Sequence, residues 1–209
     1  LLCSHLDQEK DTILFIDPGF PVQRTQAHIL NIKTASFDIY DYRGDRLEEK
    51  LESLLSQGNI AALIYSSPNN PAWFNLTDEE LEIIGRLATK YDTIVIEDLA
   101  YMCMDFRKPL GKPYTPPFQP SVAKYTDNYI IMMSGSKMFS YAGQRIAIIA
   151  ISDSLYKREY PMLREIYKMP KLGEAFVFAV LDAVSSGASH SAQYALAEML
   201  RAAADGELD

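Results

Sequence analysis

Tyr129-Ile130-Ile131-Met132-Met133-Ser134-Gly135-Ser136-Lys137 is an apolar run that ends in small hydroxyl residues, a glycine and a lysine. A short continuous apolar run bounded by such residues fits a strand buried on both faces, the kind found in parallel sheets. A lysine just past a buried strand is expected to be poorly solvated, which makes its amine easier to deprotonate and able to attack a carbonyl. Arg145 follows eight positions after Lys137, and an arginine with small hydroxyl residues is what a phosphate needs. The group reads as a Schiff-base lysine beside a phosphate site. A loop lysine taken alone is ordinarily a solvated surface residue, so the reading depends on the rest of the chain.

Strand-like and helix-like segments alternate on both sides of this stretch. Thr12 to Asp17 is a short apolar run closed by the turn signal Pro18-Gly19, and Ile60 to Tyr65 and Thr93 to Glu97 are further buried strands. Thr34 to Tyr40 alternates weakly and Arg145 to Ile151 is apolar, so both are expected as strands. Between them, Val22 to Asn31 fits a helix. Arg46 to Gln57 carries Leu47, Leu51, Leu54 and Leu55 at helical spacing and stops at Gly58. Thr77-Asp78-Glu79-Glu80 is a capping box opening a helix with Leu81, Ile84, Leu87 and Ala88 on one face. The chain from Ser154 onward reads as mostly helical, with breaks near Pro161, Pro170 and Gly187. Apolar strands separated by helices predict an α/β fold, a mainly parallel sheet with helices on both faces. Ligands of such sheets bind beyond the carboxyl ends of the strands.

With 209 residues, 48% hydrophobic and 23% charged, the chain has the composition of a globular protein. A net charge of −8 argues against a nucleic-acid partner, which needs a basic face, and no apolar run is long enough to span a membrane. Cys3 and Cys103 have no framework spacing, so a reducing cytoplasm is the expected location. His5, His28 and His190 match no metal-ligand spacing, and no metal is expected. The chain starts Leu1-Leu2-Cys3, which reads as the tail of a helix, and ends just after a helical pattern, so a fragment of a longer protein is expected.

Four polar features fall at strand ends: Asp17-Pro18-Gly19-Phe20-Pro21, Ser67-Pro68-Asn69-Asn70-Pro71, Asp98-Leu99-Ala100-Tyr101, and Ser134 to Lys137. Each has an ordinary reading. Pro68 to Pro71 is a common turn sequence, Asp98 could cap a turn, and Phe20 and Tyr101 could be core aromatics. In a parallel sheet, however, all four converge on one rim.

These motifs, in this order and with Arg145, resemble the large domain of the fold-type I aminotransferases that depend on pyridoxal 5'-phosphate, the class I/II or aspartate aminotransferase family. The resemblance covers nearly the whole chain. It implies that Lys137 is the lysine that binds the cofactor covalently and then shuttles a proton at the substrate's Cα, and that Asp98 pairs with the pyridine nitrogen. It implies further that Asn70 and Tyr101 donate to the ring oxygen, that Phe20 stacks on the ring, and that Ser134 and Arg145 bind the phosphate, with Ser136 a weaker candidate. The implied catalytic residues are Lys137, Asp98 and Tyr101, and the implied reaction moves an amino group between an amino acid and a 2-oxo acid. β-Elimination or decarboxylation would use the same lysine and aspartate. A ligand-sensing regulator built on the same domain is a further reading, opposed by the acidic charge. A homodimer is implied as well.

The chain departs from the family pattern at Ala72-Trp73, where Thr-Gly is usual, at Ala147, where glycine is common, and in the proline-rich segment Lys108 to Pro120. Trp73, the single tryptophan, reads as a packing residue or as a ring facing substrate or an interface. Met102-Cys103-Met104 is expected to pack, and Ser185 to Ser191 to start and cap a helix. The resemblance divides the chain into a large cofactor-binding domain, 1-190, without its N-terminal part, and 191-209, the start of the helix leading to a small domain. The glycine-rich phosphate loop would then precede Leu1 and the arginine that grips the substrate carboxylate would follow Asp209, leaving this chain alone a poor catalyst.

Overall fold

The computed structural model describes residues 9–107 and 109–208. The helix-tail reading of Leu1-Leu2-Cys3, together with His5, Lys108 and Asp209, lies outside the described residues. One six-stranded sheet organises the chain, in the order β2-β1-β3-β4-β5-β6. Its strands are β1 (Thr12–Asp17), β2 (Lys33–Asp38), β3 (Ile60–Ser66), β4 (Ile94–Leu99), β5 (Tyr129–Ser134) and β6 (Ala147–Ile151). β1 to β5 are parallel, and β6 pairs antiparallel with β5. β3 sits in the middle and is buried at every position, which explains its uninterrupted apolar sequence. β2, at the edge, buries Phe37 and otherwise carries polar or small residues.

Helices cover both faces. On one, α2 (Asp45–Leu55) places Leu47, Leu51 and Leu55 on a single stripe, and α3 (Asp78–Lys90) adds Leu81, Ile84 and Leu87. They pack on Leu14, Ile16, Leu63, Tyr65 and Val95 of the sheet. The Thr77 capping box forms as its sequence predicts, the Thr77 hydroxyl accepting from Glu80 N–H and the Glu80 carboxylate from Thr77 N–H. Glu80 also holds Arg43 and Gly44 N–H, so one buried carboxylate ties the turn before α2 to the start of α3.

On the other face, α1 (Pro21–Ile29) seats Ala27 against Phe15 and Ile64. The short helices α4 (Gly135–Met138), α5 (Asp153–Lys157), α6 (Pro161–Tyr167), α7 (Leu172–Glu174) and α8 (Asp182–Ser185) follow, with a π-helical stretch over Ala175–Leu181. Leu155, Leu163, Leu172 and Ala175 from this group close over Ile94 and Ile130. A cavity of about 300 Å³ remains beside them, lined in part by Ile13, Ala62, Ile96, Met132 and Ile149. Helix α9 (His190–Ala204) rests Ala192 and Leu196 on Ile146.

Three expectations need correction in detail. The strand expected over Thr34 to Tyr40 stops at Asp38, because its carboxylate accepts from Tyr40 N–H at 2.9 Å and opens a 3₁₀ turn over Ile39–Asp41. The strand expected from Arg145 begins at Ala147; Arg145 is left-handed, with φ 51°, at the end of a 3₁₀ turn over Ala142–Gln144. Ser189 precedes α9, as the serine run suggested, but its side chain makes no capping bond.

Candidate active site at the carboxyl rim of the sheet

Because β1, β3, β4 and β5 run parallel, the ends that carry the four motifs lie on one edge. In register, Ser66 of β3 is beside Asp98 of β4, and Asp98 is beside Met132 of β5. The connections are side-chain bonds as well as proximity. Gln23 of α1, three residues past Phe20, donates from Nε2 to Asp98 Oδ2 at 2.9 Å. Asn69 Nδ2 donates to Pro18 O at 2.8 Å and to Ser66 Oγ at 3.1 Å, joining the turn after β3 to the turn after β1. Its carbonyl oxygen accepts from Ala72 N–H at 3.0 Å, and its backbone pairs with Phe74 and Trp73. Asn69 is fully buried and fixes the path of this loop from within.

Asp98 is the second-last residue of β4 rather than lying after it, and its Oδ1 accepts from Ala100 N–H at 3.0 Å. Burial pushes its carboxyl up from the ordinary aspartate range, and the bonds from Ala100 and Gln23 oppose that shift. Neither partner carries a charge, so a cationic N–H donor is the group that would stabilise this carboxylate most. Tyr101, on the turn that follows, has its ring under the ammonium of Lys137, with Nζ 5.5 Å from the ring centroid. Trp73 meets the same ring edge to face at 5.3 Å and 81°.

Lys137 itself corrects an expectation. It is exposed, not poorly solvated, because β5 ends at Ser134 and the single turn of α4 carries the lysine outward over Tyr101. Ser134 Oγ accepts from Ser136 N–H at 3.2 Å, which opens α4. Arg145 is exposed and its Nη1 donates to Ala142 O at 2.9 Å. Phe20 precedes α1 and is 42% exposed. Among the described residues, no hydrogen bond joins Phe20, Asn70, Ser134 or Arg145 to Lys137, and the Asn70 carboxamide and Tyr101 hydroxyl have no hydrogen-bond partner. The structure therefore brings Asp98, Tyr101, Lys137 and the Asn70 loop to one rim and leaves three donors there uncommitted: the Asn70 amide, the Tyr101 hydroxyl and the Lys137 ammonium.

Cys103, expected to pack with its methionine neighbours, is exposed at φ 64° on the turn after β4. Among the described residues no group of three or more histidine, cysteine or acidic side chains could hold a metal ion, and no helix is long and apolar enough to cross a membrane.

Sequence reasoning missed Gln23, Asn69 and Glu97. Glu97 is fully buried on the sheet face opposite to Asp98, accepting from Tyr65 Oη at 3.0 Å, Ser121 Oγ at 2.5 Å and Val122 N–H. Burial lifts its carboxyl to about 7 against the pull of those donors. A charge ending the otherwise apolar Thr93 to Ile96 run was the signal available for it. Asn69 was hidden in an Asn-Asn pair, and nothing in the sequence marks Gln23.

The chain is similar to known proteins in sequence and in fold. The model of the family "Aminotransferase class I and II" matches residues 1–206. A probable aspartate aminotransferase of Methanocaldococcus jannaschii is 24% identical over 91% of this chain and 48% of its own length, so the chain spans about half the length of that relative. Among solved structures, YbdL of Escherichia coli, described with a methionine aminotransferase function, covers 94% of this chain and 46% of its own at a TM-score of 0.66 and 18% identity. A PLP-bound C-S lyase of Staphylococcus hominis covers 73% of this chain and 37% of its own at a TM-score of 0.56 and 20% identity. Those structural likenesses carry the fold, a mainly parallel α/β sheet matching the large domain of pyridoxal phosphate enzymes. The family match fixes membership: this chain belongs to the class I and II aminotransferases.

Proposed function

We propose that the protein to which this chain belongs transfers an amino group between an amino acid and a 2-oxo acid, with pyridoxal 5'-phosphate bound at Lys137. The observation that carries the reading is the half-buried, cation-free Asp98 on the same rim as Lys137, with Tyr101 between α4 and the β3 loop. When bound, the cofactor supplies an electron sink for the negative charge that develops at the substrate's Cα.

In this reading Asp98 accepts a hydrogen bond from a protonated ring nitrogen and keeps it protonated by its own charge. The Asn70 amide and Tyr101 hydroxyl, both uncommitted, donate to an oxygen on the ring. Phe20 covers one ring face from the start of α1. Ser134 and Arg145 hold the phosphate, with Ser136 N–H and hydroxyl adjacent. Lys137, on an outward turn, is free to swing from its place over Tyr101, to hold the cofactor and then to take and return a proton at Cα. Family membership supports amino-acid substrates and dependence on the cofactor. The large-domain assignment of 1-190, the approach of 191-209 to a small domain, and a homodimer belong to the same proposal, supported by the half-length coverage of the M. jannaschii relative.

The test is a screen of the full-length protein with amino donors and 2-oxo acids, with Lys137→Ala as control. Formation of the new amino acid and loss of that activity in the variant are expected. Release of ammonia and an oxo acid without transfer would contradict amino transfer.

A further inference from the structure

We propose that Trp73 is a specificity-determining residue, an apolar wall beside Tyr101 and Lys137 that favours amino donors with aromatic or large apolar side chains over acidic or small ones; this rests on the amino-transfer reading above. Trp73 adopts φ 56°, a left-handed conformation in which a bulky residue is disfavoured and glycine is at ease. It also stands where the family pattern usually has glycine. The backbone here is one that suits glycine, and it carries the largest side chain. Such outliers persist where the surroundings enforce them. Here the enforcement is visible: Trp73 N–H donates to Asn69 O at 3.1 Å, Asn69 N–H donates to Phe74 O at 2.9 Å, and Ala72 N–H donates to the Asn69 side chain at 3.0 Å.

Core packing does not account for it. Phe74, the next residue, enters the core at 7% exposure, whereas the Trp73 side chain stays 47% exposed. Its ring is turned instead onto Tyr101, whose ring is the one beneath the Lys137 ammonium. The indole thus stands one ring away from the amine at which an amino donor would react. The loop from Ser67 to Leu76 carries no lysine or arginine of its own to hold an acidic side chain. Asn75, two residues on, donates to Asp105, and Arg107 is already paired with Asp105 at 2.7 and 2.8 Å. A substrate side chain reaching this wall meets half-exposed aromatic surface, which suits an apolar group.

The experiment uses the full-length protein with cofactor supplied, as wild type, Trp73→Gly and Trp73→Phe. Borohydride reduction and peptide mapping are done first; absence of the adduct at Lys137 would overturn the amino-transfer reading and this inference with it. With the adduct present, kcat/KM is measured for phenylalanine, leucine, aspartate and alanine against one 2-oxo acid. The wild type is expected to prefer the first two. Trp73→Gly, whose backbone fits without strain, is expected to lose about tenfold on phenylalanine and leucine, mostly in KM, with a much smaller change on aspartate and alanine. Trp73→Phe should restore most of the loss. The fluorescence difference between wild type and Trp73→Phe should respond to 3-phenylpropionate and not to succinate, a readout that remains even where the glycine variant does not fold. Equal losses on all four donors, a wild-type preference for aspartate, or no fluorescence response to 3-phenylpropionate would overturn the assignment.

Discussion

Tyr65 and Glu97 face each other in register across β3 and β4, and the Tyr65 hydroxyl donates to Glu97 Oε1 at 3.0 Å with both residues nearly inaccessible. Among the described residues no cation shares the site, so the pair holds a carboxyl that burial has lifted from 4.5 to about 7. The same burial, with the neighbouring carboxylate, pushes the Tyr65 hydroxyl well up. The native chain therefore holds the Glu97 proton more tightly than the unfolded chain does. This contribution to stability is fully present below the unfolded value and is lost as pH rises through the folded one.

Glu97→Gln keeps the shape and a carbonyl acceptor but removes the titration. Between about pH 5 and about pH 8 the wild type should lose on the order of 3 kcal/mol relative to the variant. Urea denaturation across that range checks it; parallel stability curves for the two proteins would show that the carboxyl does not titrate in the fold.

Arg43 and Glu80 form the other high-stakes pair, with Arg43 Nε and Nη2 donating to the two carboxylate oxygens at 2.6 and 2.7 Å and the Glu80 side chain 2% exposed. Arg43→Ala leaves a buried carboxylate with only backbone donors and should cost about 3–5 kcal/mol. Arg43→Lys should recover only part, since an ammonium cannot reproduce the two parallel bonds. In the double variant with Glu80→Gln the loss should fall short of the sum of the single losses. Additive losses would mean that the pair is not coupled.

Asp98→Ala should slow removal of the substrate's Cα proton at least about a hundredfold in the full-length protein, because a buried ion pair that loses one member costs several kcal/mol. Some cofactor should remain bound through Lys137 and the phosphate site. Solvent-deuterium exchange at Cα reads the step directly. Exchange at the wild-type rate would remove Asp98 from its proposed role.

The sheet was legible because its signals are local and repeated. Ile60 to Tyr65 and Tyr129 to Met133 are apolar at every position, and the Thr77 box and the Leu47, Leu51, Leu55 stripe follow helical spacing. The errors fall where a side chain bonds its own backbone or where a turn sets direction: Asp38 ended β2 early, and Lys137 was carried outward by one turn of α4. The converging rim was legible because a parallel sheet puts all carboxyl ends together. Asn69, Gln23 and Glu97 were not, since their importance lies in partners 24 to 75 residues away in sequence. Trp73 was visible as an oddity, but its left-handed backbone and its contact with Tyr101 needed coordinates.

Lys137 is the proposed seat of the cofactor. The full-length protein, incubated with pyridoxal 5'-phosphate, reduced with borohydride, digested and mapped by mass spectrometry, should yield the reduced adduct on the peptide containing Lys137 and on no other lysine in substantial amount. An adduct concentrated on a different lysine, or none at all, would rule Lys137 out as that seat.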